Sequence, residues 1–240
     1  MNYSWDWGLL FRGPYVGWIA SGFATTCVLA TYAWLIAFTV GSVIGVFRTL
    51  DNKVLRTIGT VYVEIFRNIP LLAQMFLWYF VIPELLPADA QLYVKRGMPD
   101  PQFRTAVLAL GLYTASRVAE QVRSGIQSIP RGQRDAALAM GFTPAQVYRY
   151  VLLPIGYRTV IPSLTNDFLG VFKNSSLALT LGVMELTAAA RQIEEYTFQS
   201  FEPFAAATVL YSCVTLCVIT LMRFLERKTR IAGTASAGGR

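Results

Sequence analysis

Several ionisable side chains lie inside apolar sequence, where each needs a partner. Lys173 heads Lys173-Asn174-Ser175-Ser176, four consecutive hydrogen-bonding side chains. An unpaired ammonium in lipid is costly, so Lys173 must face a partner or a water-filled cavity. Two readings stay open. An anionic substrate takes bonds from Lys173 and the neighbouring hydroxyls, or Lys173 pairs with Asp167 or a residue of a second subunit. Asp167 stands six positions earlier, on a different helix face, which weakens the internal pair. Glu64 and Arg67 sit at i, i+3 on one face. They either neutralise each other at the membrane interface, with Arg67 snorkelling, or form a gate element that rearranges. Arg117, Glu120 and Arg123 repeat at three-residue spacing and read as a self-neutralising helix face in preference to a substrate contact.

Groups for covalent or nucleotide chemistry are missing. The sequence has no Gly-x4-Gly-Lys-[Ser/Thr] loop to cradle phosphates and no Gly-x-Ser-x-Gly elbow. It has no histidine, which removes His-based metal pairs and nucleophile activation. Cys27, Cys213 and Cys217 all fall in apolar runs and read as free, packed thiols.

The elements that position these residues are membrane spans. The 240 residues are 54% hydrophobic and 15% charged, against roughly a quarter charged in soluble domains. Gly17 to Phe47 contains no charged side chain, more than the about 20 residues a helix needs to cross the hydrocarbon core. Hydropathy predicts an all-α integral membrane protein with five transmembrane helices, over residues 20–46, 57–82, 104–126, 159–183 and 203–224. Pro70 predicts a kink in the second span. Gly41 and Gly45 form a Gly-x3-Gly pair in the first, a motif for close helix contact. The segment before the first span lacks a basic region, so that span does not read as a cleaved signal. Its Trp5, Trp7, Phe11 and Tyr15 read as an interfacial aromatic anchor.

Charge sets the orientation. Arg48, Lys53 and Arg56 follow the first span; Arg131, Arg134, Arg149 and Arg158 lie between the third and fourth; Arg223, Arg227, Lys228 and Arg230 follow the fifth. The alternate loops carry Glu84, Asp89, Asp100, Glu185, Glu194, Glu195 and Glu202, a bias that Lys95, Arg96, Arg104 and Arg191 dilute but do not reverse. By the positive-inside rule the N-terminus is periplasmic and the C-terminus cytoplasmic. The net charge of +7 is thus a topology signal, and no nucleic-acid partner is expected. Residues 231–240 read as a flexible cytoplasmic tail.

The cytoplasmic segment between the third and fourth spans is the most informative. Arg131 to Met140 reads as a short helix, which Gly141 ends in the left-handed conformation. Thr143-Pro144 starts a second short helix, which Pro154 stops. The result is a bent knob presenting Ala136 and Ala137 to a partner's groove.

Asp135-Ala136-Ala137, Gly141 and Val151-Leu152-Leu153-Pro154 resemble the Glu-Ala-Ala loop of bacterial ABC-importer permeases, with Asp for Glu and Val for Ile as the two departures. The segments Tyr62 to Leu72 and Lys173 to Leu177 resemble those of polar-amino-acid permeases; Ile82 to Pro87 and Trp5 to Gly8 resemble the glutamate/aspartate importer branch. The resemblance implies one permease domain over 1–230 in the bacterial inner membrane, with a coupling loop at 127–157. It implies docking of Asp135, Ala136, Ala137, Gly141, Val151, Leu153 and Pro154 on a cytoplasmic ATPase dimer. It further implies a second, paralogous permease subunit, a periplasmic binding protein delivering an amino acid, and a path involving Lys173, Asn174, Ser175, Ser176, Glu64 and Arg67. ATP and Mg are used by the ATPase partner, and no cofactor is expected on this chain. Two rivals remain: a stand-alone secondary transporter or channel, which would work without an ATPase, and a non-transporting scaffold subunit.

Overall fold

The computed structural model describes residues 5–229; the expected tail at 231–240 lies outside the described residues. Helix α1 (Tyr15–Phe47) has 33 residues and forms the spine of the fold. Its buried face runs Gly22, Thr26, Ala30, Ala33, Ala37, Gly41, Gly45, a small residue at nearly every turn. That stripe brings α5 (Pro101–Gln127) to backbone distance. A Cβ on Gly41 would lie 2.6 Å from the Val118 Cβ and 2.7 Å from the Ala115 carbonyl. The Gly-x3-Gly pair is therefore a helix contact, and it is one part of a longer small-residue seam.

Between these helices lie α2 (Lys53–Asn68), α3 (Leu71–Phe76) and the short α4 (Ala88–Leu92). Asn52 caps α2 by accepting from the Val54 and Leu55 amides. The second expected span is not one straight helix: Lys53–Asn68 and Leu71–Leu85 meet at 106°. Pro70 supplies the cause, since it has no N–H to continue the ladder and Ile69 is extended before it.

Beyond α5 come α6 (Arg131–Ala139), α7 (Pro144–Val147) and α8 (Leu153–Asn174). Pro154 does not stop a helix as expected. The chain continues from α7 into α8 through a wide, π-type turn at Tyr148–Leu152, in which the Leu153 N–H donates to the carbonyl of Tyr148, five residues back. The widened turn accommodates a proline that lacks the donor of a regular helix. The fourth span also differs from expectation: α8 ends at Asn174, and a 3-10 segment, Ser175–Leu181, completes it before Gly182 turns left-handed at φ 88°. Then α9 (Leu186–Thr197), read from sequence as an acidic loop, precedes α10 (Phe201–Thr229).

By length and composition, α1 and the stretch Phe201–Phe224 of α10 are fit to cross a membrane, and the bent pair counts as a third if taken as one span. Helices α5 and α8 occupy the third and fourth expected positions, their apolar character diluted by Arg104, Arg117, Glu120 and Arg123 and by Arg158, Asp167 and Lys173. The N-terminal aromatics dock on α10: Trp5 stacks on Trp7 and packs on Phe201, and the Asp6 amide donates to Glu202 at 2.8 Å. All three cysteines are free, but Cys213 and Cys217 are exposed on α10 and not packed as expected.

Candidate functional site

The bent segment of α6 and α7 is set by local rules. The Gly141 amide donates to the Leu138 carbonyl and the Phe142 amide to that of Ala137, a Schellman ending that needs the left-handed φ of 87° at Gly141. Thr143 then caps α7 in a reciprocal box with Gln146. Inside the bend Ala137, Val147 and Leu152 are buried, with Phe142, Tyr148, Val151 and Leu153 packed against them. Ala136 and Met140 face outward, as do Asp135 and Pro154. The expected pair of outward alanines is thus split: Ala137 holds the knob together and only Ala136 is on its open side. Val151 and Leu153 likewise belong to its core.

Two contacts tie this knob to the α1–α2 turn. The Tyr148 hydroxyl donates to the Thr49 carbonyl at 3.0 Å and lies 3.1 Å from the Thr49 hydroxyl. Arg134 pairs with Asp51 at 3.0 Å.

The charges expected within the spans pair differently from the expected scheme. Glu64 does not meet Arg67; it accepts from Asn68 at 3.2 Å. Arg67 instead reaches to 3.8 Å from Glu120, which also takes Arg48 and Arg123. One carboxylate on α5 thereby gathers the ends of α1 and α2. Arg117 turns away from that cluster and pairs with Asp167 at 2.7 Å. The i, i+3 spacing said which side chains could meet along one helix; partners on other helices decided the outcome.

Lys173 therefore does not pair with Asp167. It lines an open cavity of about 300 Å³ with Ser176, Thr187, Phe204, Thr208 and Tyr211. Behind that wall Glu185 is fully buried and caps α9, accepting from the Thr187 and Ala188 amides and from the Tyr211 hydroxyl at 2.7 Å. Thr26 of α1 lies 3.5 Å from the same carboxylate and accepts from the Leu186 amide. The cavity so combines one cation with hydroxyls, a set suited to a carboxylate. Ser175 is not part of it: buried, it donates to the Phe172 carbonyl at 2.7 Å. Asn174 is half-buried at the end of α8 and outside the cavity lining. Glu185 gave little sequence signal, because glutamate is not among the preferred helix caps. Among the described residues, no group of three or more His, Cys, Asp or Glu side chains is placed to hold a metal ion.

This helical plan has known counterparts. Residues 37–231 match the family described as binding-protein-dependent transport system inner membrane component. The chain belongs to that family. The glutamate/aspartate import permease protein GltJ of Escherichia coli (strain K12) is 46% identical, with 97% of this chain and 98% of its own length aligned. The nopaline transport system permease protein NocM of Agrobacterium fabrum is 33% identical, over 88% of this chain and 90% of its own. A solved amino acid ABC transporter shares the fold at a TM-score of 0.79 and 29% identity, covering 94% of this chain and 100% of that chain. The MetNI methionine ABC transporter, in an inward-facing conformation, shares the fold alone, at a TM-score of 0.68 and 23% identity over 96% of this chain and 100% of that chain. The family expected from Asp135 to Pro154 is borne out, and this permease is a membrane component of an amino-acid ABC importer.

Proposed function

We propose that this chain is the five-span inner-membrane subunit of an ATP-driven importer of glutamate or aspartate, with its N-terminus periplasmic and its C-terminus cytoplasmic. One permease domain over 1–230, with its coupling loop at 127–157, forms the translocation path with a paralogous second permease subunit. The chain hydrolyses nothing itself; a cytoplasmic ATPase dimer supplies ATP and Mg chemistry, and a periplasmic binding protein delivers the amino acid. Closure of the ATPase pair draws the α6–α7 knobs together and opens the path outward.

The observation that carries this reading is the locally capped bend at Gly141, packed on α5 and α8. It is built on a Schellman turn and a capping box and leaves Asp135, Ala136, Met140 and Pro154 facing out. A rigid knob transmits force where a floppy loop would absorb it. The similarity to GltJ supports an acidic substrate, and Lys173 with Ser176 and Thr187 is the set that meets its carboxylate on the path.

Co-purification tests the reading. The tagged wild-type chain should retain an ATPase subunit in mild detergent, and Gly141→Asp should lose it while remaining folded. A wild-type chain that never carries an ATPase would refute the assignment and favour a transporter acting alone.

A further inference from the structure

The knob must act on something within the membrane, and its contacts name the recipient. Its two ties to the α1–α2 turn are unequal. Arg134–Asp51 is exposed on both sides, with side-chain exposures of 44% and 86%, and exposed pairs hold position weakly. Tyr148 is half-buried against the apolar cluster that the knob shares with α5 and α8, and its hydroxyl meets both oxygens of Thr49. The aromatic ring has few rotamers and is packed, so this contact is the stiff one.

From Thr49 the contacts run on without a gap. The adjacent Arg48 is only 8% exposed at its side chain and meets Glu120. Helix α2 rests directly on Arg48: a Cβ added at Gly59 would lie 2.7 Å from the Arg48 Cγ. The far end of α2 returns to the same carboxylate through Arg67, two residues before the extended Ile69 and the 106° break. Turn, arginine and α2 therefore form one packed block between the knob and the broken span.

We infer that Tyr148 is a positioning residue that gears the α6–α7 knob to this block, so that displacement of the knob is passed to α2 and its break. The Tyr148 ring moves with α7; its hydroxyl drags the Thr49 backbone; Arg48 and α2 follow because nothing separates them. Without the hydroxyl the knob still docks on its partner but slips against the turn. This inference rests on the importer reading above.

The test uses the assembled transporter in proteoliposomes, with uptake of the amino acid and ATP hydrolysis measured in the same vesicles. ATP-dependent uptake by the wild type is the control; its absence would refute the importer reading and is distinguishable from any effect at Tyr148. Tyr148→Phe should keep the ATPase bound and hydrolysing near the wild-type rate, while uptake per ATP falls about fivefold, the factor for one net hydrogen bond. Asp51→Asn should lower uptake per ATP less than Tyr148→Phe does, because the Arg134–Asp51 pair is exposed and holds position weakly. The inference is overturned if uptake per ATP is unchanged in Tyr148→Phe, if the ATPase is lost, or if Asp51→Asn costs as much uptake per ATP as Tyr148→Phe.

Discussion

The side-chain amide of Gln74 donates to the carbonyl of Phe66, the acceptor that Pro70 would have served in an unbroken helix. The distance is 2.8 Å, and a second bond of 2.8 Å reaches the Ile69 carbonyl. Gln74 is 2% exposed, so no water replaces it. The break thus carries its own cap across the bend. Gln74→Leu should leave these carbonyls unserved, at about 1–3 kcal/mol each, and lower the thermal midpoint in detergent. Adding Pro70→Ala should recover part of that loss, because a restored N–H lets α2 continue. Fluorescence-detected melting of the three variants measures both effects.

Asp167 is 3% exposed and depends on Arg117 of another helix. Arg117→Ala should destabilise the protein by about 2–3 kcal/mol, less than a fully buried pair because the arginine is half exposed. The double change Arg117→Leu with Asp167→Leu should be milder than the single one, since it leaves no buried charge behind. Denaturant midpoints in one detergent decide between the two orders.

The α1–α5 seam makes a positional prediction. Gly41→Val and Gly45→Val should each cost about 1–3 kcal/mol or more through overpacking, since both would drive a Cβ within 2.9 Å of α5. Gly17→Val, with nothing within 4 Å, should be neutral. Yield of monodisperse protein on size-exclusion chromatography separates them.

Lys173 and Ser175 should behave oppositely although both belong to one polar run. Lys173→Ala should abolish uptake in an assembled transporter, because it removes the cation of the cavity. Ser175→Ala should leave uptake within about twofold, since its hydroxyl serves only its own helix. Equal effects from the two changes would argue against the cavity.

What could be read in the chain was what local rules determine. Gly141, Thr143 and Pro144 act through backbone conformation and capping within a few positions, so the knob was legible. The α1 face was legible in part, since Gly41 and Gly45 mark a seam whose length shows only once the alanines above them are seen buried. Partnerships across helices were not. Glu64 and Arg67 stand at contact spacing, yet Arg67 leans to Glu120, and Arg117 finds Asp167 fifty positions on. Pro154 was misread for a different reason: a proline stops a helix only if its neighbourhood cannot widen, and Tyr148–Leu152 does widen.

That widened turn fixes a rotational phase. Each residue added to a helix turns all that follows by roughly 100° and advances it by about 1.5 Å, and a π-type turn amounts to one residue inserted into the regular winding. The directions in which Asp167 and Lys173 point are therefore decided near Tyr148, several turns upstream. Along this rod a change of side chain is a local event, whereas the gain or loss of one residue would swing both charges off their bearings together. A change of length there would disturb more of the rod than a change of side chain.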